Sequence, residues 1–184
     1  RYIFDPLGMY KTSFSPEPGN VAATEYDEKQ GKPLIGVCHD ENARFLGGVS
    51  GNAGLFSNVY DLAIFAQMLI IDGRHKGRQF LSRASIKAMK RNYTAHLNED
   101  RGLGWCIKGG RLGGMEQGYI SAGDLMPPGA YGHTGFTGTS IWIDPEDDLF
   151  IILLTNRVHP GRDNDQILRF RPLFHNAVLA DMEK

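Results

Sequence analysis

Apolar periodicity in this chain is confined to a few stretches and starts late. Residues 10–55 show little of it and carry many Gly, Pro, Asn and Asp residues, which predicts mostly loop. The first clear helix is predicted over about 58–72, where Leu62, Phe65, Leu69 and either Ile64 or Met68 share one face. Ser57 or Asn58 can cap it and Gly73 can end it. A second helix fits about 82–91, with Ser82 as its cap and Ile86 and Met89 turned inward. Residues 102–107, Gly-Leu-Gly-Trp-Cys-Ile, read as a short strand. From 108 to 131 the chain is glycine-rich and irregular, and Met126-Pro-Pro128 forbids regular structure there. A hairpin follows. Its first strand is predicted at 136–144, its turn at Pro145-Glu-Asp-Asp148, and its return strand at 149–155. The return strand is apolar without alternation, which implies cover on both faces. A loop at 156–162 leads to a helix over about 164–182 with Ile167, Phe170, Phe174 and Val178 as its apolar stripe. Pro172 lies inside that helix and predicts a kink or a restart.

These elements predict an α+β fold, an antiparallel sheet with packed helices and a C-terminal helix lying on the sheet. Residues 1–130 form its loop and helical part, and 131–184 form the hairpin plus the last helix. Two strong strands and one weak one make a thin sheet, so further strands are expected elsewhere. The opening Arg1-Tyr-Ile-Phe-Asp-Pro-Leu-Gly-Met9 has no initiator Met and no signal-peptide pattern. It reads as the tail of a helix running into an Asp-Pro turn, and the chain is expected to start inside a longer protein.

Composition narrows the function classes. The 184 residues are 41% hydrophobic and 22% charged, as in a soluble globular domain. A net charge of −1 favours neither nucleic acid nor an anionic membrane as partner. The longest apolar run, Leu149-Phe-Ile-Ile-Leu-Leu154, is a buried strand rather than a membrane span. Cys38 and Cys106 form no CxxC and no disulfide framework. His39-Asp40-Glu41 places three possible metal ligands in a row, but adjacent residues rarely converge on one ion, and a hydrogen-bonded loop is the better reading. His75, His96 and His175 read as solvated or packing residues. The glycines at 109–114 and 132–138 match no nucleotide-binding pattern. No metal and no cofactor is expected. Asn92-Tyr-Thr94 is an acceptor sequon only in a glycosylating pathway.

Nucleophilic catalysis leaves a clearer trace. A Gly-x-Ser-x-Gly elbow is absent, and Ser50 in Gly48-Val-Ser-Gly51 is one glycine short of it. The unusual stretch is Tyr131-Gly-His-Thr-Gly-Phe-Thr-Gly-Thr-Ser140. Acyl transfer needs a backbone N–H aimed at a developing oxyanion, and a glycine-lined strand edge lets a substrate lie against the backbone. A histidine and a hydroxyl at the start of such a strand can orient a substrate carboxylate or pass a proton.

His133-Thr-Gly135 resembles the Lys-Thr-Gly element of the penicillin-binding protein and serine β-lactamase superfamily. The resemblance extends to Phe4-Asp-Pro-Leu-Gly-Met-Tyr-Lys-Thr-Ser-Phe14, Val37-Cys-His-Asp-Glu-Asn-Ala43, Leu46-Gly-Gly-Val-Ser-Gly-Asn-Ala-Gly-Leu-Phe-Ser57 and Leu153-Leu-Thr-Asn-Arg157. These motifs are collinear over nearly the whole chain. They are most similar to the class C-like branch, which includes β-lactamases, D-Ala-D-Ala carboxypeptidases and family VIII-type esterases. The resemblance implies the C-terminal portion of the β-lactamase/transpeptidase-like fold. It implies His133 in place of the strand lysine, Thr134 bonding substrate and Gly135 giving backbone access. The Phe136 N–H becomes the second oxyanion donor, and Arg157, His159 or Arg162 meets a substrate carboxylate. Asn52 stands where relatives often carry histidine.

The family's Ser-x-x-Lys is absent, since no serine here is followed three places later by lysine. Tyr119-Ile-Ser121 is too close to His133 to serve as the family's Tyr-x-Asn motif. The implied function is acyl transfer from a β-lactam, D-Ala-peptide or ester through a serine upstream of this chain, with the chain alone inactive. The alternative is a non-catalytic binding or regulatory module. The implied partners are a small-molecule or peptide substrate and, through an exposed sheet edge, a second copy. The resemblance favours an extracytoplasmic or cell-envelope location.

Overall fold

The computed structural model of the protein describes residues 2–109 and 121–182. The chain opens with a single helical turn, α1 (Phe4–Leu7). Asp5 and Pro6, expected as a turn after a helix, lie inside α1 instead, where a missing proline N–H costs nothing. The chain is then mostly irregular to residue 55. A small antiparallel pair, β1 (Tyr26–Asp27) with β2 (Lys32–Pro33), and a short helix α2 (Glu41–Phe45) interrupt it.

Helix α3 (Val59–Ile70) is capped by Asn58, whose side chain accepts from the Asp61 N–H. Ala66, Met68 and Leu69 are buried, whereas Leu62, Ile64 and Phe65 are only partly so. The fourth buried residue is Asp61. Its carboxylate accepts at 2.8 Å from both the Lys11 N–H and the Thr12 hydroxyl, tying the irregular N-terminal stretch to the helix. A second small pair, β3 (Arg74–His75) with β4 (Arg78–Gln79), leads into α4 (Arg83–Lys90). Ser82 caps α4 and Ile86 is buried, as the pattern predicts.

The main sheet consists of β5 (Cys106–Ile107), β6 (Tyr131–Thr134), β7 (Ser140–Asp144) and β8 (Leu149–Leu153), antiparallel and neighbouring in chain order. Two boundaries differ from expectation. Only the end of 102–107 is strand, because Gly102 turns back to donate to the Trp105 carbonyl at 2.9 Å. The strand predicted at 136–144 begins at Ser140, because Gly135 to Thr139 form the turn of an additional hairpin. Gly138 takes φ +120° there, a conformation open to glycine.

The register sorts the core into two faces. Cys106, Gly132, Trp142 and Ile151 form one cross-strand row, and Ile107, Tyr131, Ile143 and Phe150 form the next, on the opposite face. The Trp142 row packs with Ala122, Met126, Ala130 and Leu179. The Tyr131 row packs with Leu7, Ala66, Leu69, Ile86 and Trp105, from α1, α3, α4 and the approach to β5. The apolar return strand is thus covered on both faces. Gly132 is required by its neighbour, since a Cβ there would lie 2.3 Å from the Ile141 carbonyl oxygen and 2.5 Å from the Trp142 ring. The buried Trp142 indole N–H donates to the Ser121 hydroxyl at 3.2 Å.

Helix α5 (Ile167–Met182) covers the Trp142 face and runs through Pro172 without restarting. Its buried line is Ile167, Arg171, His175 and Leu179, not the expected Ile167, Phe170, Phe174 and Val178. Phe174 and Val178 flank that line, and Phe170 is largely exposed. Two polar residues hold its centre because each finds a carbonyl. His175 donates through Nδ1 to the Ser121 carbonyl at 2.6 Å, and burial pushes its pKa down. Arg171 reaches the β6–β7 turn.

Two predictions follow from the sheet. Gly132→Ala is expected to lower unfolding free energy by about 1–3 kcal/mol through overpacking against Trp142, read from denaturant midpoints. Among the described residues no strand pairs with the outer edge of β8, and Leu154 beside it and Leu168 and Leu173 on α5 are exposed. Such edges pair readily, so the purified chain is expected to self-associate in sedimentation velocity. A lone monomer boundary at every concentration would exclude this.

Candidate active site

The β6–β7 hairpin carries His133, Thr134, Gly135 and Phe136 to one end of the sheet. His133 pairs with Ile141 on the same face as Tyr131, one pleat beyond the core, and is exposed. Its Nδ1–H donates to the Thr134 carbonyl at 2.8 Å, so the neutral ring keeps its lone pair on Nε2. That nitrogen can accept a proton or a substrate hydrogen bond. Thr134 is half-buried and pairs with Ser140. The Gly135 N–H donates to the Thr139 carbonyl at 2.8 Å and closes the turn. A Cβ on Gly135 would meet the Thr139 hydroxyl at 2.2 Å. Among the described residues the Phe136 N–H enters no backbone hydrogen bond.

The turn is held from behind by backbone carbonyls and cations. Arg171, 5% exposed, donates through Nη2 to the Gly135 carbonyl at 2.7 Å and the Thr139 carbonyl at 3.0 Å. Burial, with Arg157 nearby, lowers its pKa. From the β8 side, the Thr155 hydroxyl donates to the Gly138 carbonyl at 2.6 Å and the Arg157 N–H to the Thr137 carbonyl at 2.8 Å. The Arg157 side chain donates to the Phe136 carbonyl at 2.8 Å and the Arg162 and Asn164 carbonyls at 2.8 and 2.9 Å. Its guanidinium carbon also lies 4.2 Å from the centroid of the Phe136 ring. The structure therefore brings His133 to Phe136 and Arg157 together.

Arg162 and His159 are engaged elsewhere. Arg162 donates through Nε to both Glu25 oxygens at 2.8 and 2.9 Å and through Nη2 to Glu25 and Glu41. The guanidinium pulls the Glu25 carboxyl down to about 2 against burial, and lowers Glu41 as well. The His159 Nδ1–H donates to the Thr24 carbonyl at 2.8 Å. Asn52 is exposed and accepts from Ser50. Tyr119 lies outside the described residues.

Sequence reading missed His39, Glu25 and Arg171. His39-Asp40-Glu41 diverges rather than converging on a metal. The His39 Nε2 lies 3.1 Å from Glu25, the Asp40 side chain accepts from the Ala43 N–H, and Glu41 pairs with Arg162. The His39 ring stacks on Phe136, with centroids 5.6 Å apart and an interplanar angle of 19°. Only the position of His39 within Val37–Ala43 marked it in the sequence. Glu25 carried no local signal.

The beta-lactamase family model matches residues 1–174. A relative from Escherichia coli O157:H7, named "Putative D-alanyl-D-alanine carboxypeptidase", is 36% identical over 176 residues, covering 85% of this chain and 38% of its own. One of the same name from Salmonella enteritidis PT4 is 34% identical, covering 90% and 40%. This chain thus spans about two fifths of the length of these relatives. In fold it is similar to a beta-lactamase from Mycobacterium bovis, with TM-score 0.63, 23% identity and coverage of 98% of this chain and 53% of that one. It is equally similar to simvastatin synthase from Aspergillus terreus, with TM-score 0.63, 17% identity and coverage of 98% and 48%.

The Glu25–Arg162 pair has a pH signature. Glu25 titrates at about 2 in the folded chain rather than at its ordinary 4.5. A depressed carboxyl stabilises the fold fully above the ordinary value, and that contribution fades as pH falls toward the folded one. Denaturant midpoints between about pH 6 and about pH 3 are expected to fall more steeply for the native chain than for Glu25→Gln. Parallel curves would show that the pair contributes nothing.

Proposed function

Because this chain belongs to the beta-lactamase family, we propose that it supplies the His-Thr-Gly wall of an acyl-transfer site in a serine hydrolase. The observation that carries this reading is the pinned hairpin. It leaves His133 exposed while backbone carbonyls and arginines hold the Phe136 peptide in place.

The proposed chemistry assigns each residue one task. A serine outside these 184 residues attacks the acyl carbonyl, forming the Oγ–C bond and passing its proton to the lysine of the same Ser-x-x-Lys, also outside them. The carbonyl oxygen becomes an oxyanion, and the Phe136 N–H donates to it. Thr134 hydrogen-bonds the acyl donor, and Gly135 lets it approach the backbone. His133 stands in the place of the strand lysine. Through Nε2 it orients the donor's carboxylate when protonated or moves a proton when neutral. Arg157 lends its charge to the same end of the hairpin. The collapsing intermediate breaks the bond to the leaving group, which receives the proton that the base took from the serine, and water later hydrolyses the acyl–Oγ bond to give the acid and the free serine. The donor is a D-Ala-terminated peptide, a β-lactam or an ester. The names of the relatives favour the first. Alone, the 184 residues hold no Ser-x-x-Lys and are not catalytic.

Nitrocefin, a p-nitrophenyl ester and a D-Ala-D-Ala peptide are expected to stay intact with the purified chain, and mass spectrometry is expected to find no acyl adduct. Turnover by the chain alone overturns the assignment of the nucleophile. In a longer product of the same gene that carries Ser-x-x-Lys, His133→Ala is expected to lower kcat by about 10²–10⁴-fold. A longer product without that motif, or one indifferent to His133, refutes the catalytic reading.

A further inference from the structure

Phe136 is 58% exposed, and neither apolar core cluster includes Phe136, His39 or Arg157. Its ring nonetheless has two ordered neighbours. The His39 ring stacks on it at 5.6 Å, and the Arg157 guanidinium lies 4.2 Å from its centroid. An exposed phenylalanine on a hairpin turn gains little from burial, so this grip is not core filling. Both holders are themselves anchored. His39 is 7% exposed, with Nε2 3.1 Å from Glu25, and Arg162 holds Glu25 through Nε and Nη2 by three hydrogen bonds. Arg157 is anchored on the Arg162 and Asn164 carbonyls and also bonds the Phe136 carbonyl. The peptide plane that carries the Phe136 N–H is held through its own carbonyl, that of Gly135, by Arg171, and the Phe136 ring and carbonyl hold the Cα side of that plane.

We propose that His39 is a positioning residue. Its imidazole, beside Glu25, stacks on the Phe136 ring and, together with the Arg171 bond to the Gly135 carbonyl, keeps the Phe136 N–H aimed at the developing oxyanion. The inference rests on the acyl-transfer reading, because the aim matters only if that N–H receives an oxyanion. His39 touches no reacting atom in this role. Its effect passes through the ring of another residue, so shape rather than hydrogen bonding is what it must supply.

Two substitutions separate shape from bonding. His39→Phe keeps a flat ring and loses the bond to Glu25, whereas His39→Gln keeps a hydrogen-bonding group and loses the ring. In the ¹⁵N-labelled chain, His39→Gln is expected to shift the Phe136 amide and Arg157 Nε signals and to lower the Phe136 heteronuclear NOE, while α3 signals stay put. His39→Phe is expected to retain the native NOE at Phe136. In the serine-bearing product, removal of one oxyanion donor costs about 10²–10³ in kcat, so loosening one is expected to cost about 10-fold. His39→Gln should show that loss at unchanged KM, with His39→Phe near the native rate. The reverse order of the two variants, or silence from both, overturns the proposal while leaving the acyl-transfer reading intact. A native serine-bearing product with no turnover removes that reading, and the positioning role falls with it.

Discussion

The open end of the sheet is located by one contact, the Trp142 ring laid against Gly132. The ring occupies the space that any side chain on Gly132 would need, and it closes the row from Cys106 to Ile151 that seals one face of the sheet. Its N–H is satisfied by Ser121, whose carbonyl in turn receives His175 from α5. The same aromatic ring therefore locks two strands and seats the helix that covers them. What lies beyond, the turn with His133 to Phe136, is placed by extension from that lock.

The turn then solves a second problem. A turn of five residues with two glycines has little side-chain mass to hold it, so its carbonyls are the available handles. Arg171 takes two from the helix side, Arg157 takes two from the β8 side through its side chain and its N–H, and Thr155 takes the fifth. With its carbonyls engaged in this way, the turn leaves the Phe136 N–H outside any backbone hydrogen bond among the described residues. The cations are structural in what they bond and electrostatic in what they offer, since both place positive charge at this end of the sheet.

The fold was largely legible in the sequence because its long elements repeat. α3, α4 and the β7–β8 hairpin announce themselves by periodicity, caps and an unbroken apolar run. The misreadings have a common cause. The sequence reads His133-Thr-Gly135 as the start of a glycine-lined strand but does not separate β6 from the strand at 136–144, because Tyr131-Gly-His-Thr134 pairs through its backbone and buries mainly Tyr131. The stripe of α5 was read one position off because Arg171 and His175 look like surface residues until the carbonyls they face are known. The stack of His39 on Phe136 joins residues far apart in sequence, and no local pattern reports such a contact. His133 and its neighbours were legible for the opposite reason. Their chemistry lies in residue type and order, which a sequence displays directly.

The row through Gly132 has a further consequence for His133. Side chains on a strand alternate between faces, so sliding β6 by one residue would exchange every inside position for an outside one. Tyr131 and His133 flank the single position in β6 where the Trp142 ring fits. A slipped strand would drive a tyrosine or an imidazole into that ring, and no intermediate placement exists. The position of the histidine is therefore digital rather than graded. It is written by a residue that has no side chain, and drift in the surrounding loops cannot blur it.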